Sequence, residues 1–238
     1  MKIMFCGCSM VLGDEIERDE RFSYLVSEQL NATEWNISQG GRSNIMSVVL
    51  TITEAMKERP DYIVFGITYP HRAVGIRADI DDVAAVQNKI ADWNADDIFE
   101  MDTDKFFKLV PMMGSYIHKP PNYKELEQSF SVFRHTLQTH IETLSVINLL
   151  FNFADENNIP LCVFPAVTLF DHFKKINDVT IANSVLDYPI NSKYWMNTNI
   201  YEMAESNNDM MPQDHPGAKT NREFADLLVA RIKKDLNL

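Results

Sequence analysis

Tyr62-Ile63-Val64-Phe65-Gly66 is an unbroken apolar run set off by Pro60-Asp61, and its reading decides the fold class. A strand with one face in water alternates apolar and polar residues. A run with no polar member needs cover on both faces, as a central strand of a parallel sheet has. Two other stretches share this character: Ile3 to Cys6 near the start of the chain, and Leu161-Cys162-Val163-Phe164-Pro165 far downstream. Trp35 to Ile37 is a further candidate strand.

Helical periods fill the gaps between these runs. Phe22, Leu25, Val26 and Leu30 recur at helical spacing within Arg21 to Leu30. Ser43 or Asn44 is a natural cap for a helix carrying Ile45, Val48, Val49, Ile52 and Met56. Apolar residues every three or four positions from Tyr123 to Asn157 predict one long helix, and Phe224, Leu227, Leu228 and Ile232 predict a closing helix over Lys219 to Lys234. Strands alternating with helices imply an α/β fold with a three-layer, doubly wound, flavodoxin-like parallel sheet in a single domain over 1–238. The stretch 73–122 is irregular and acidic, and longer than an ordinary connection. It is read as an insertion after the third strand, either a lid or wall for a substrate or a structural excursion. Thr168 to Gln213 shows no strong period.

Composition narrows the function classes. The 238 residues carry 22 Lys and Arg against 34 Asp and Glu, a formal charge of −12. Without a basic stretch there is nothing to displace counterions from a phosphate backbone, so a nucleic-acid partner is not expected. The N-terminal apolar run is too short for a signal peptide, and no segment approaches a membrane span, so no membrane partner is expected. Three cysteines, Cys6, Cys8 and Cys162, make no even disulfide framework, which fits a reducing, cytoplasmic setting. His118, His135, His140 and His172 lack metal-ligand spacing, and neither a metal nor a cofactor is implied.

In a doubly wound sheet, ligands bind beyond the carboxyl ends of the strands. Polar features sit where that rule wants them. Gly7-Cys8-Ser9 follows the first strand, Gly40 to Asn44 the second, and Thr68 to Arg72 the third, while Asp214-His215-Pro216-Gly217 precedes the last helix. In this order the motifs resemble those of the SGNH/GDSL hydrolase superfamily over most of the chain. The family's first block, Gly-Asp-Ser, corresponds to Gly7-Cys8-Ser9, so the serine matches and the aspartate does not. Its second block supplies a glycine amide, for which Gly40 or Gly41 stands ready. Its third, Gly-x-Asn-Asp, aligns with Gly66-Ile67-Thr68-Tyr69 and lacks the asparagine; Asn44 and Thr68 are the candidate substitutes. Its fifth, Asp-x-x-His, has Pro212 three places before His215, with Asp214 adjoining the histidine. The combination of Gly-Cys-Ser, Gly-Gly-x-Ser-Asn and Gly-x-Thr-x-Pro-x-Arg is also similar to SGNH-like proteins encoded by bacteriophages, which implies a viral origin and a host cytoplasm.

The resemblance implies a serine esterase working through an acyl-enzyme, with a small ester or an acylated carbohydrate as substrate. Ser9 is then the nucleophile and His215 the base. Asp214 is the nearest orienting acid, with Asp209 or a backbone carbonyl as alternatives. The backbone amides of Ser9 and Gly41 would face the oxyanion, with Asn44 and Thr68 beside them. Arg72, near His71 and Arg77, is a candidate for an anionic substrate group, or pairs with acidic loops. Cys8 is either an alternative nucleophile or a small core filler. Two readings stay open: an esterase with an altered third and fifth block, and a non-catalytic module of the same fold that binds a glycan or a protein partner.

Overall fold

Three runs of apolar sequence become three neighbouring strands because a sheet covered on both faces removes all of their side chains from water. The computed structural model describes residues 1–70, 74–76, 109–111, 136–167 and 192–238. In it, β1 (Lys2–Cys6), β2 (Thr33–Asn36), β3 (Tyr62–Ile67) and a strand at Leu161–Pro165 form a parallel sheet in the spatial order β2, β1, β3, then that last strand. All six residues of β3 and all five of Leu161–Pro165 are buried. The edge strand β2 is half-exposed and carries the polar Thr33, Glu34 and Asn36.

Short helix α1 (Ser9–Leu12) follows β1, and α2 (Phe22–Gln29) leads into β2. Helix α3 (Asn44–Lys57) joins β2 to β3; Ser43 caps it by accepting a hydrogen bond from the Met46 amide. Within 73–122 the structure describes an antiparallel pair, β4 (Val74–Ile76) with β5 (Leu109–Pro111), in a stretch the sequence reading left irregular. The rest of that stretch lies outside the described residues. Helix α4 (Thr136–Asn157) precedes β6 (Leu161–Pro165). The part of the long helix expected over 123–135 also falls outside the described residues. The chain closes with α5 (Ile200–Asn207) and α6 (Ala218–Leu236).

Helices cover both faces of the sheet, α2 packing with α6 and α3 with α4. On α6 the buried Asn221, Phe224, Ala225, Leu228, Val229 and Ile232 make one stripe at helical spacing. Phe22 of α2 sits at the centre of that face, edge-on to Phe5 of β1, Phe164 of β6 and Phe224 of α6, with ring centroids 6.1, 6.0 and 5.1 Å away. Among the described residues no helix is long and apolar enough to cross a membrane, and no cluster of His, Cys, Asp and Glu is arranged to hold a metal ion.

The three cysteines are free and buried. Burial pushes the Cys6 thiol up from 9.0 to about 11 and the Cys162 thiol up from 9.0 to about 12. Burial also raises the Tyr62 hydroxyl, whose oxygen donates to Asp235 Oδ2 at 2.6 Å. The fold thus holds these protons above the pH at which the unfolded chain releases them. The unfolded state then binds fewer protons, and stability falls as pH rises. Urea unfolding should show stability falling between about pH 9 and pH 11 through the two thiols, with Tyr62 adding to the fall only above about pH 10, each group by at most about 1.4 kcal/mol per pH unit. A flat profile over that window would contradict the burial.

Candidate active site

Ser9 opens α1 immediately beyond β1, and the surrounding bonds fix that turn. The Val11 and Leu12 amides both donate to the Cys8 carbonyl at 3.0 Å, so Cys8 acts as the helix cap. From β2, Asn36 Nδ2 donates to the Val11 carbonyl at 3.1 Å, holding the short helix against the sheet. Cys8 is fully buried at 0 % exposure, whereas Ser9 retains 7 %. The thiol is therefore part of the core, and Ser9 is buried as well but keeps slightly more exposure at the head of the turn.

The second loop closes over Ser9. The Gln39 amide donates to the Gly7 carbonyl at 3.3 Å, which ties the exit of β2 to the exit of β1. A methyl group placed on Gly40 would stand 3.1 Å from Asp14 Oδ2 and 3.8 Å from Ser9 Cβ. Gly40 thus lies close against the Asp14 carboxylate and within van der Waals range of Ser9. Gly41 makes the turn itself, at φ 74°, a left-handed conformation that favours glycine.

The third loop is clamped by Asn44. Its Oδ1 accepts from the Thr68 amide at 2.8 Å and its Nδ2 donates to the Thr68 carbonyl at 2.9 Å. The remaining Nδ2 hydrogen faces Thr143 Oγ1 at 3.5 Å. Asn44, a candidate oxyanion donor on sequence grounds, has its amide committed to the end of β3. Thr68 is 1 % exposed, and its hydroxyl has no hydrogen-bond partner among the described residues. Arg72 lies outside the described residues.

The last component comes from the far end of the chain. The segment from Asp209 to Gly217 folds back on itself: the Met211 amide donates to the His215 carbonyl, and the Gly217 amide to the Asp209 carbonyl, both at 2.7 Å. His215 Nδ1 lies 2.7 Å from Glu15 Oε2, and the two side chains keep only 12 % and 14 % of their exposure. The acid at the ring is therefore Glu15, from the loop after α1. Asp214, the orienting acid expected from sequence, occupies an exposed turn at φ 61°. Asp209, the alternative, accepts from the Thr220 amide at 2.7 Å and so caps α6.

Asn221 was read from sequence only as a helix position, yet it anchors the histidine loop. It is 1 % exposed; its Nδ2 donates to the Pro216 and Gly217 carbonyls at 3.0 Å, and its Oδ1 accepts from the Phe22 amide at 3.1 Å. Removing it strands buried polar groups on two elements. Asn221→Ala should cost roughly 1–3 kcal/mol per stranded group, read by urea unfolding. It should also lower any His215-dependent activity, and an unchanged unfolding midpoint would contradict the anchoring role.

No protein-family model matches this chain, and no curated protein sequence does either. Solved structures do. A psychrotrophic esterase, EstA from Pseudoalteromonas sp., superposes with TM-score 0.57 at 11% identity, covering 100% of this chain and 99% of its own. The acetyl xylan esterase AlAXEase gives TM-score 0.51 at 13% identity, covering 98% and 100%. A member of the lipolytic protein G-D-S-L family from Veillonella parvula gives 0.50 at 9% identity, covering 97% of each chain. The parallel sheet in the order β2, β1, β3, β6, its two helical layers and these end-to-end superpositions agree: this chain has the fold of the SGNH/GDSL hydrolases.

Proposed function

We propose that the chain is a serine ester hydrolase in which Ser9 is the nucleophile and His215 the general base. One observation carries the reading. The loop leaving the Ser9 helix reaches, within one turn, the ring of a histidine 200 positions away in sequence. The Asp14 amide donates to the Ser9 carbonyl at 3.2 Å, and the next residue, Glu15, meets His215.

In this mechanism His215 Nε2 takes the Ser9 hydroxyl proton as Oγ attacks the ester carbonyl carbon. The tetrahedral intermediate collapses with cleavage of the carbon–oxygen bond, and the departing alkoxide takes the proton from the imidazolium. Water then repeats the sequence on the acyl-enzyme, releasing a carboxylic acid and restoring both side chains. Donors at the oxyanion are the backbone amides of the Ser9 turn and of the Gly40-Gly41 loop, with the Thr68 hydroxyl, unpartnered among the described residues, in the place of the usual asparagine. Arg72 remains a proposed contact for an anionic part of the substrate. An O-acetyl group on a carbohydrate is the substrate class this reading favours, supported by the fold shared with AlAXEase, an acetyl xylan esterase.

A series of p-nitrophenyl acyl esters tests it. Wild type should turn over the acetyl ester, and Ser9→Ala and His215→Ala should not. The engagement of the Asn44 amide with Thr68 favours a second reading, a non-catalytic module of the same fold binding a glycan or protein. Equal background rates in all three proteins would support that reading and end the first.

A further inference from the structure

We propose that Glu15 is the positioning residue that orients His215 and sets its tautomer. It would do so from the loop behind the nucleophile, in place of an acid three residues before the histidine. The inference rests on the Ser9–His215 reading above.

The position three before His215 holds Pro212, which has no acid to offer. Of the nearby carboxylates, Asp209 caps α6 and Asp214 sits in an exposed turn. Glu15 alone is drawn to the ring among the described residues, with Oε2 at 2.7 Å from Nδ1. It also accepts from the Gln213 amide, at 3.2 Å to Oε1 and 3.1 Å to Oε2. One carboxylate therefore grips both the backbone and the side chain of the histidine loop. Glu15 does this from φ 70°, a left-handed conformation that is unfavourable for a residue other than glycine and persists where the surroundings fix it.

The chemistry of the pair sets the tautomer. A carboxylate has acceptors only, so a hydrogen bond at this distance requires the proton on Nδ1. Nε2 of the neutral ring is then a lone pair, the form able to take a proton from a serine hydroxyl. The acid's work is the same as in other serine hydrolases, but its position in the chain is unrelated to the histidine's own motif. The motif that lost its aspartate is completed from the loop that follows the nucleophile's helix.

Glu15→Gln separates this role from simple anchoring. The amide oxygen still accepts from the Gln213 N–H, so the loop stays docked, while the NH2 group now donates to Nδ1 and drives the ring proton to Nε2. The expected result is a kcat on p-nitrophenyl acetate lower by roughly 10³–10⁴-fold, with KM changed by less than about threefold and the thermal midpoint retained. Glu15→Asp, which keeps an acceptor-only group, should recover part of the loss. Nitrogen-15 NMR of the histidines should show His215 protonated on Nδ1 in wild type and on Nε2 in Glu15→Gln. Ser9-dependent turnover within about tenfold of wild type in Glu15→Gln, or a wild-type His215 protonated on Nε2, would overturn the proposal. If wild type shows no Ser9-dependent turnover, the catalytic reading fails, and the NMR tautomer alone decides whether Glu15 sets the ring.

Discussion

Ser9→Ala is expected to lower kcat on p-nitrophenyl acetate by at least about 10⁴-fold, and His215→Ala by a similar factor, with KM nearly unchanged. In the proposed mechanism the two side chains act in one proton transfer, so losing either should stop the same step, and the double variant should be no slower than each single one. The factor is set near the low end for serine hydrolases because of the third block. In the proposed mechanism Thr68 takes the place of an oxyanion-facing asparagine amide, and one lost donor is worth about 2.7–4 kcal/mol of transition-state stabilisation. An enzyme that starts with less acceleration has less to lose. Multiplicative losses in the double variant would contradict a shared step.

Phe22→Ala should cost about 3–5 kcal/mol of folding free energy, measured by urea denaturation. That is a large share of the roughly 5–15 kcal/mol available to a domain. The ring is fully buried, and its three aromatic neighbours belong to β1, β6 and α6. Strands fixed by a hydrogen-bonded sheet cannot move inward to fill the cavity, which puts this site at the costly end of such truncations. The effect should reach the site as well, because the Phe22 amide donates to Asn221, which holds the Pro216 and Gly217 carbonyls beside His215. A loss below about 1 kcal/mol would mean that the face repacks freely.

The sheet was legible because three of its four strands are built on runs with no polar residues to mislead. Ile3 to Cys6, Tyr62 to Gly66 and Leu161 to Pro165 were read within a residue or two of β1, β3 and β6. The edge strand was harder. β2 runs Thr33–Asn36, where a strand at Trp35 to Ile37 was expected, because its start is set by pairing Thr33 with Lys2 across the sheet and its own pattern is half polar. Helix α5 escaped notice: it has eight residues, and of these only Ile200 and Ala204 are buried, too short a stripe to show a period. Its one local signal was the Asn199 cap, which accepts from the Tyr201 and Glu202 amides.

At the site, motif order gave Ser9, Gly40 or Gly41, and His215 as candidates, since each is announced by a neighbouring strand end or helix start. The partner of His215 was not announced. Glu15 lies in a polar loop among Asp14, Glu17, Asp19 and Glu20, and nothing in that run distinguishes one acid from another. Only the folded chain brings Glu15 to the ring. Asn44 illustrates the opposite difficulty: an amide next to a glycine loop looks like an oxyanion donor, and the structure spends it on the Thr68 backbone.

The nucleophile is the centre of the account, and covalent capture addresses it directly. Wild-type protein treated with a p-nitrophenyl alkylphosphonate should gain a single phosphonyl group, mapped by peptide mass spectrometry to Ser9, and Ser9→Ala should gain none. An adduct on the buried Cys8, or an unmodified Ser9 in protein that still cleaves p-nitrophenyl acetate, would contradict the assignment.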